Sequence, residues 1–157
     1  MSDVMPVTAS RLLIASSRLP LTVRVSGEQV RLVHAGGGLA TGLRRWQEES
    51  RGVWIGWPGD VSHLTAEQRA SLDARLARRH LVPVFLTPDQ FDRYDDRFAS
   101  GVLSRVFDRQ IDRVPPDAGG WDAYRQVNQR FADTIVAAYT PGDVIWIHDY
   151  QLLLAPA

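Results

Sequence analysis

Four short stretches of this sequence hold the residue types that do chemistry. Arg18 follows the apolar run Arg11-Leu-Leu-Ile-Ala-Ser-Ser17. A guanidinium there could fork onto a phosphate, and it could equally be a solvated surface charge. Gly36-Gly37-Gly38 stands between a strand-like and a helical stretch. Glycine at such a place lets backbone amides approach a phosphate or sugar at a positive helix end, or simply makes a tight turn; the spacing is not the dinucleotide fingerprint. His148-Asp149 closes the apolar run Val144-Ile-Trp-Ile147. The pair could exchange protons, join a metal site, or offer Asp149 to sugar hydroxyls. One such pair without further clustered ligands favours the hydroxyl acceptor over the metal. Trp57, at the end of Gly52-Val-Trp-Ile-Gly-Trp57, is open to a role in the core or in a pocket.

The composition narrows the chemistry further. All 18 basic side chains are arginine, so an amine for a Schiff base or a P-loop lysine is absent. Cysteine is absent as well, which removes thiol nucleophiles, disulfides and thiolate metal sites. The 18 basic residues are balanced by 18 acidic ones, leaving no net field to recruit nucleic acid or an anionic membrane. No apolar run approaches the ~20 residues that span a bilayer, and residues 1–10 read as a short disordered leader without a secretory signal. A cytoplasmic location is the default, no cofactor is implied, and a homo-oligomer is compatible with the composition.

These residues need elements to position them. Arg11–Ser17 reads as a buried strand, and Thr22–Ser26 with Gln29–Val33 as a half-exposed hairpin. Leu39 to about Glu49 has helical spacing, and Gly52–Trp57 is a further apolar strand. Thr65-Ala-Glu-Gln68 forms a capping box opening a helix to about Arg79. Leu81–Leu86 is strand-like, its internal proline suggesting an edge, and Pro88 to about Phe107 is helical. Residues 112–120 form a loop, and Trp121–Tyr139 is the clearest helix. Val144–His148 is a fully apolar strand, and Gln151-Leu-Leu-Leu opens a helix that stops early. His34, His63 and His80 read as solvated; Trp54, Trp121 and Trp146 read as packing residues. Apolar strands alternating with helices predict an α/β fold: a Rossmann-like, mostly parallel sheet with helices on both faces and a β-hairpin insertion. Ligands gather at the carboxyl ends of such strands, where Arg18, Trp57, His148 and Asp149 fall.

Five stretches, in order and with matching spacing, resemble the start of the trehalose-6-phosphate synthases of glycosyltransferase family 20, retaining enzymes of the two-domain GT-B fold. They are Arg11-Leu-Leu-Ile-Ala-Ser-Ser-Arg-Leu-Pro20, Gly37-Gly38-Leu39-Ala-Thr-Gly42, Trp54-Ile-Gly-Trp-Pro-Gly59, Trp121-Asp-Ala-Tyr-Arg-Gln-Val-Asn128 and Ile145-Trp-Ile-His-Asp-Tyr-Gln-Leu152. The resemblance implies transfer of glucose from UDP-glucose to glucose-6-phosphate, with no required metal. It implies that Arg18 grips the acceptor phosphate and Asp149 holds acceptor hydroxyls. Gly37 and Gly38 would offer backbone to the donor, with Trp57 and His148 nearby. Residues 11–157 would then be the acceptor-side, N-terminal GT-B domain. The sequence reads as cut within a strand–helix unit, without the donor-binding domain that carries the pyrophosphate clamp.

Four positions depart from the family pattern. Ser17 stands where the family has asparagine, Asp95 replaces an acceptor-contacting tyrosine, Ser104 a tryptophan and Asp108 a histidine. A desolvated carboxylate at Asp95 would repel an acceptor phosphate. Without the pyrophosphate clamp, this chain alone is expected to be inactive. The altered block also fits a non-catalytic or regulatory homologue, or a glycosyltransferase with a different acceptor.

Overall fold

The computed structural model describes residues 11–26, 29–34, 36, 38, 41–43, 52–116 and 119–156. Strands β1 (Leu12–Arg18), β4 (Val53–Trp57), β5 (Leu81–Pro83) and β6 (Val144–Ile147) form one parallel sheet in the order β5-β4-β1-β6. Between β1 and β4 in the chain, β2 (Leu21–Ser26) and β3 (Gln29–His34) pair as an antiparallel hairpin, with Leu21 opposite His34 and Ser26 opposite Gln29. Gly27 and Glu28 of the expected turn, and most of the helix expected over 39–49, lie outside the described residues.

Alternation along the strands builds two cores. Leu13, Ala15, Val53, Ile55 and Trp57 face one side; Ile14 and Trp54 face the other. The first side is covered by α4 (Trp121–Ala138), whose Tyr124, Val127, Phe131 and Ile135 are buried at helical spacing. The second is covered by Leu21 and Val23 of the hairpin and by Leu72 and Leu76 of α1 (Ala66–Ala77). The Thr65 capping box is complete: the Gln68 N–H donates to Thr65 Oγ1 at 3.2 Å, and the Thr65 N–H to Gln68 Oε1 at 3.0 Å.

The charged stretch after β5 is helical, with unusual winding. It opens as α2 (Pro88–Phe91), capped by a second box between Thr87 and Gln90, and continues as a π-helix over Asp92–Leu103. It closes as α3 (Ser104–Phe107). The wider turn stacks residues five apart, so Arg97 meets Asp92 at 2.7 Å and Ser100 meets Asp95 at 3.2 Å. π-Helical turns are rare and concentrate at functional sites.

Three expectations are corrected. Trp146 is 40% exposed, because β6 is an edge strand with no neighbour on its outer side among the described residues. Trp121 is 46% exposed, lying against Phe98 and Tyr124 at the first turn of α4 with its other side in solvent. The chain after Asp149 forms a 3-10 turn over Tyr150–Leu152 and then further turn, not the first turn of an α-helix. No helix among the described residues is long and apolar enough to cross a membrane.

Candidate functional site

From β1 the chain moves one way across the sheet, to β4 and β5, and then returns to the far side of β1 as β6. That reversal opens a crevice beyond the carboxyl ends of β1 and β6, the place where open α/β sheets bind ligands. Ser17 and Arg18 end one of these strands; His148 and Asp149 follow the other.

Arg18 is set by contacts from β4. The β1–β4 register slips between Ala15 and Arg18, and the Leu19 N–H donates to the Trp57 carbonyl at 2.9 Å. Ser16 is buried and relays between strands: the Trp54 indole N–H donates to Ser16 Oγ at 2.8 Å, and Ser16 Oγ donates to the Arg18 carbonyl at 2.7 Å. Only glycine fits at position 56, because a Cβ would lie 2.6 Å from both the Arg18 carbonyl carbon and the Leu19 nitrogen. Beyond the strand the guanidinium is exposed and lies over two rings, its Cζ 4.2 Å from the Phe91 centroid and 4.9 Å from that of Trp57. Those rings stack at 3.9 Å, and Trp57 is fixed by its indole N–H on the Leu86 carbonyl. A planar cation resting on an aromatic floor is oriented by that contact, with no ion pair to a carboxylate among the described residues.

Asp149 is held in a strained backbone conformation, φ 71° and ψ 170°, that is otherwise almost confined to glycine. Such a conformation costs on the order of 1–3 kcal/mol and persists where its surroundings enforce it. The enforcing contacts come from α4. Tyr124 and Asn128 are each 1% exposed. The Tyr124 hydroxyl donates to the Tyr150 carbonyl at 2.7 Å and accepts the Leu153 N–H at 3.2 Å. Asn128 donates to the Gln151 carbonyl at 3.1 Å and accepts the Leu154 N–H at 3.0 Å. On the strand side, the His148 N–H donates to the Ala15 carbonyl at 2.8 Å. The Asp149 carboxylate accepts the Tyr150 N–H at 2.8 Å, with His148 Nε2 3.8 Å away, and remains exposed.

The π-helix adds two buried polar groups. Tyr94 is fully buried and its hydroxyl has no hydrogen-bond partner among the described residues; burial pushes its pKa up. Asp95 is 7% exposed, and burial raises its carboxyl above the usual range, opposed by the Ser100 hydroxyl and the Arg18 charge. Ser104 donates weakly to Asp108, at 3.4 Å. Asp108, Asp149, Phe107 and Tyr150 line one open groove of ≈ 590 Å³. Gly38 is exposed, with open space where a Cβ would stand and no left-handed backbone to require glycine; Gly37 lies outside the described residues.

The sequence-derived candidates thus fall into two groups. Arg18 joins Trp57 and Asp95, while Asp149, His148 and Asp108 gather at the end of β6. Sequence reasoning did not single out Ser16, Gly56, Phe91, Tyr124 and Asn128 as positioning residues. An asparagine inside the apolar stripe of α4, and a glycine between two strand tryptophans, were the signals that could have found them.

The family model for glycosyltransferase family 20 matches residues 10–157. An alpha,alpha-trehalose-phosphate synthase (UDP-forming) 2 from Aspergillus fumigatus is 37% identical over 148 residues, covering 93% of this chain and 30% of the fungal protein. Among solved structures, the N-terminal domain of Candida albicans trehalose-6-phosphate phosphatase superposes with a TM-score of 0.66 at 26% identity, over 94% of this chain and 30% of that one. A Burkholderia xenovorans alpha,alpha-trehalose-phosphate synthase (UDP-forming) in complex with glucose-6-phosphate superposes with a TM-score of 0.59 at 28% identity, over 91% and 30%. The chain therefore spans about 30% of the length of these relatives.

Proposed function

Because the chain belongs to glycosyltransferase family 20, we propose that residues 11–157 form the acceptor-side domain of a retaining hexosyltransferase of the trehalose-6-phosphate-synthase type. The reaction joins the glucosyl unit of UDP-glucose to glucose-6-phosphate. An acceptor hydroxyl oxygen bonds to the anomeric carbon, the bond from that carbon to the diphosphate breaks, UDP leaves with the electron pair, and the hydroxyl proton passes to the departing diphosphate oxygen. The observation that supports the proposal is that Arg18 ends β1 and Asp149 follows β6, so both stand at the carboxyl ends of neighbouring parallel strands. Arg18, oriented by Phe91 and Trp57, takes the acceptor phosphate through paired N–H donors. Asp149 accepts acceptor hydroxyls, which fixes the sugar ring relative to the reacting carbon. Gly37 and Gly38 let backbone amides approach the donor diphosphate. The cations that hold the departing UDP belong to a second, donor-side domain of the longer relatives. Both substrates are charged phosphate esters that do not cross a bilayer unaided, which supports a cytoplasmic reaction.

Asp95 favours a second reading, in which the acceptor differs from glucose-6-phosphate. Its buried carboxyl sits within range of the Arg18 charge, where it competes with a bound phosphate. Titrating the chain with glucose-6-phosphate and with glucose, followed by NMR, separates these readings. The first reading expects selective binding of the phosphorylated sugar, weakened at least about tenfold by Arg18→Ala, or about 1.4 kcal/mol. Equal binding of both sugars, gaining phosphate selectivity only in Asp95→Tyr/Ser104→Trp, supports the second. Binding that ignores Arg18 in every variant removes both.

A further inference from the structure

The β2–β3 hairpin keeps one face in the core and the other in solvent. Leu21 and Val23 are buried in one cluster with Leu72 and Leu76 of α1, and Val30 and Leu32 pack against it. Strand alternation puts Thr22, Arg24, Arg31 and Val33 on the other face, where both arginines are exposed. The register sets Arg24 directly opposite Arg31. Like charges in directly opposed positions repel and destabilise the strand pair. Neither arginine is ion-paired among the described residues. The Arg31 guanidinium is instead oriented by a neutral contact, its Nη2 donating to Gln29 Oε1 at 3.2 Å.

The strands beneath this pair are held at both outer edges. The Val23 N–H donates outward to the Pro58 carbonyl at 3.1 Å, and the Val30 carbonyl accepts from Arg75 Nη1 on α1. Outward-pointing groups at Val23 and Val30 leave Arg24 and Arg31, the next residues along each strand, as a pair that exchanges both backbone hydrogen bonds. Such a pair holds its Cα atoms about 5.5 Å apart. Two planar forks rooted that close together can grip one anion from two sides. A carboxylate offers its two oxygens to a single fork, whereas a tetrahedral phosphate offers an edge to each.

We propose that Arg24 and Arg31 form an anion site that holds one phosphate dianion, free or as a monoester, between their two guanidinium forks. The bound charge replaces repulsion across the hairpin with attraction to a shared centre. The site is separate from Arg18, which rests on Phe91 and Trp57 of the first core, whereas the hairpin covers the second core on the opposite face of the sheet. Both forks meet the phosphate alone, so inorganic phosphate is a sufficient probe. The inference rests on the hairpin register and its charges and is independent of which sugar is bound.

The test titrates the chain with inorganic phosphate at neutral pH, and with chloride at matched ionic strength, while NMR follows the arginine side-chain Nε–H signals. Phosphate should shift the Arg24 and Arg31 signals together and saturably. Arg24→Gln and Arg31→Gln should each weaken that binding at least about tenfold, and the double substitution should weaken it little further, because one anion needs both forks. Equal shifts with chloride would reduce the effect to ionic screening and overturn the proposal. So would a single substitution that leaves the affinity unchanged, or phosphate shifts confined to Arg18. Thermal unfolding gives an independent check: phosphate should raise the melting temperature of the parent chain and not that of either variant. In chloride alone the variants should melt no lower than the parent, since each removes a like-charge contact; marked destabilisation there would mean that the arginines already have structural partners, and the proposal fails.

Discussion

Asp95 carries a cost that depends on pH. Its carboxyl is raised by burial, so between the ordinary carboxylate value and the raised one the folded state holds a proton that the unfolded chain has released. Stability therefore falls as pH rises from the ordinary carboxylate value near 3.8 through the raised folded value, and stays lower above it. Asp95→Asn removes that slope. Thermal unfolding of the two proteins should coincide near pH 3, with the variant the more stable of the two at pH 7. A variant less stable at pH 7 would show that the ionised carboxylate is stabilised by Arg18, not disfavoured by burial. Gly56 makes a different kind of demand. Gly56→Ala pushes a Cβ against the backbone of Arg18 and Leu19, where no flexible side chain can yield. Overpacking of this kind costs about 1–3 kcal/mol. Denaturant unfolding should register that loss, and sugar-phosphate binding should weaken because Arg18 is displaced from its aromatic floor.

Among the elements, α4 does more than cover the sheet. Tyr124 and Asn128, one turn apart, hold the backbone from Tyr150 to Leu154 through four hydrogen bonds, and so hold Asp149 in its strained conformation. Asn128→Leu leaves the Gln151 carbonyl and the Leu154 N–H unpaired, at a cost of about 1–3 kcal/mol. Amide exchange at Leu153 and Leu154 should accelerate while that of α1 is unchanged; uniform acceleration would show that Asn128 supports only global stability. These elements were legible in the sequence to differing degrees. Period-two strands, the Thr65 box and the stripe of α4 from Tyr124 to Ile135 are local patterns, and each folds as read, with Trp121 left half in solvent at the helix start. That Arg18 and Asp149 stand at strand ends can be read from the strands alone, whereas the roles proposed for them come from the family resemblance. The rest depends on relations the chain does not print locally. Whether Val144–Ile147 is covered depends on its place in the strand order, which an apolar run does not reveal. The need for Gly56 arises from a register slip against a strand 38 residues away at the Trp54–Ser16 bond. The π-helix leaves the usual helical stripe unreadable because its contacts fall five residues apart.

At the scale of the whole molecule, half of a cleft should bind without turning over. The chain's 18 basic and 18 acidic residues give no net attraction for a nucleoside diphosphate, and the strand ends present one oriented arginine within range of the Asp95 carboxyl. Departure of UDP develops charge on the diphosphate, and stabilising it requires fixed positive groups aimed at those oxygens. Under the proposed function these come from the donor-side domain. The isolated chain should then release no UDP from UDP-glucose with any sugar acceptor, while a fusion that appends the part of the Aspergillus fumigatus relative following the matched stretch should do so in proportion to acceptor. Arg18→Ala in that fusion should lower kcat/KM for glucose-6-phosphate by at least about a hundredfold, equivalent to about 2.7 kcal/mol of lost transition-state stabilisation. Its effect on an unphosphorylated acceptor should be within a few-fold, because the lost contact is to the phosphate. UDP release by the isolated chain would place the leaving-group clamp within these residues and overturn the two-domain division. Equal losses for both acceptors would remove Arg18 from phosphate recognition and leave it a positioning role on the Phe91–Trp57 stack.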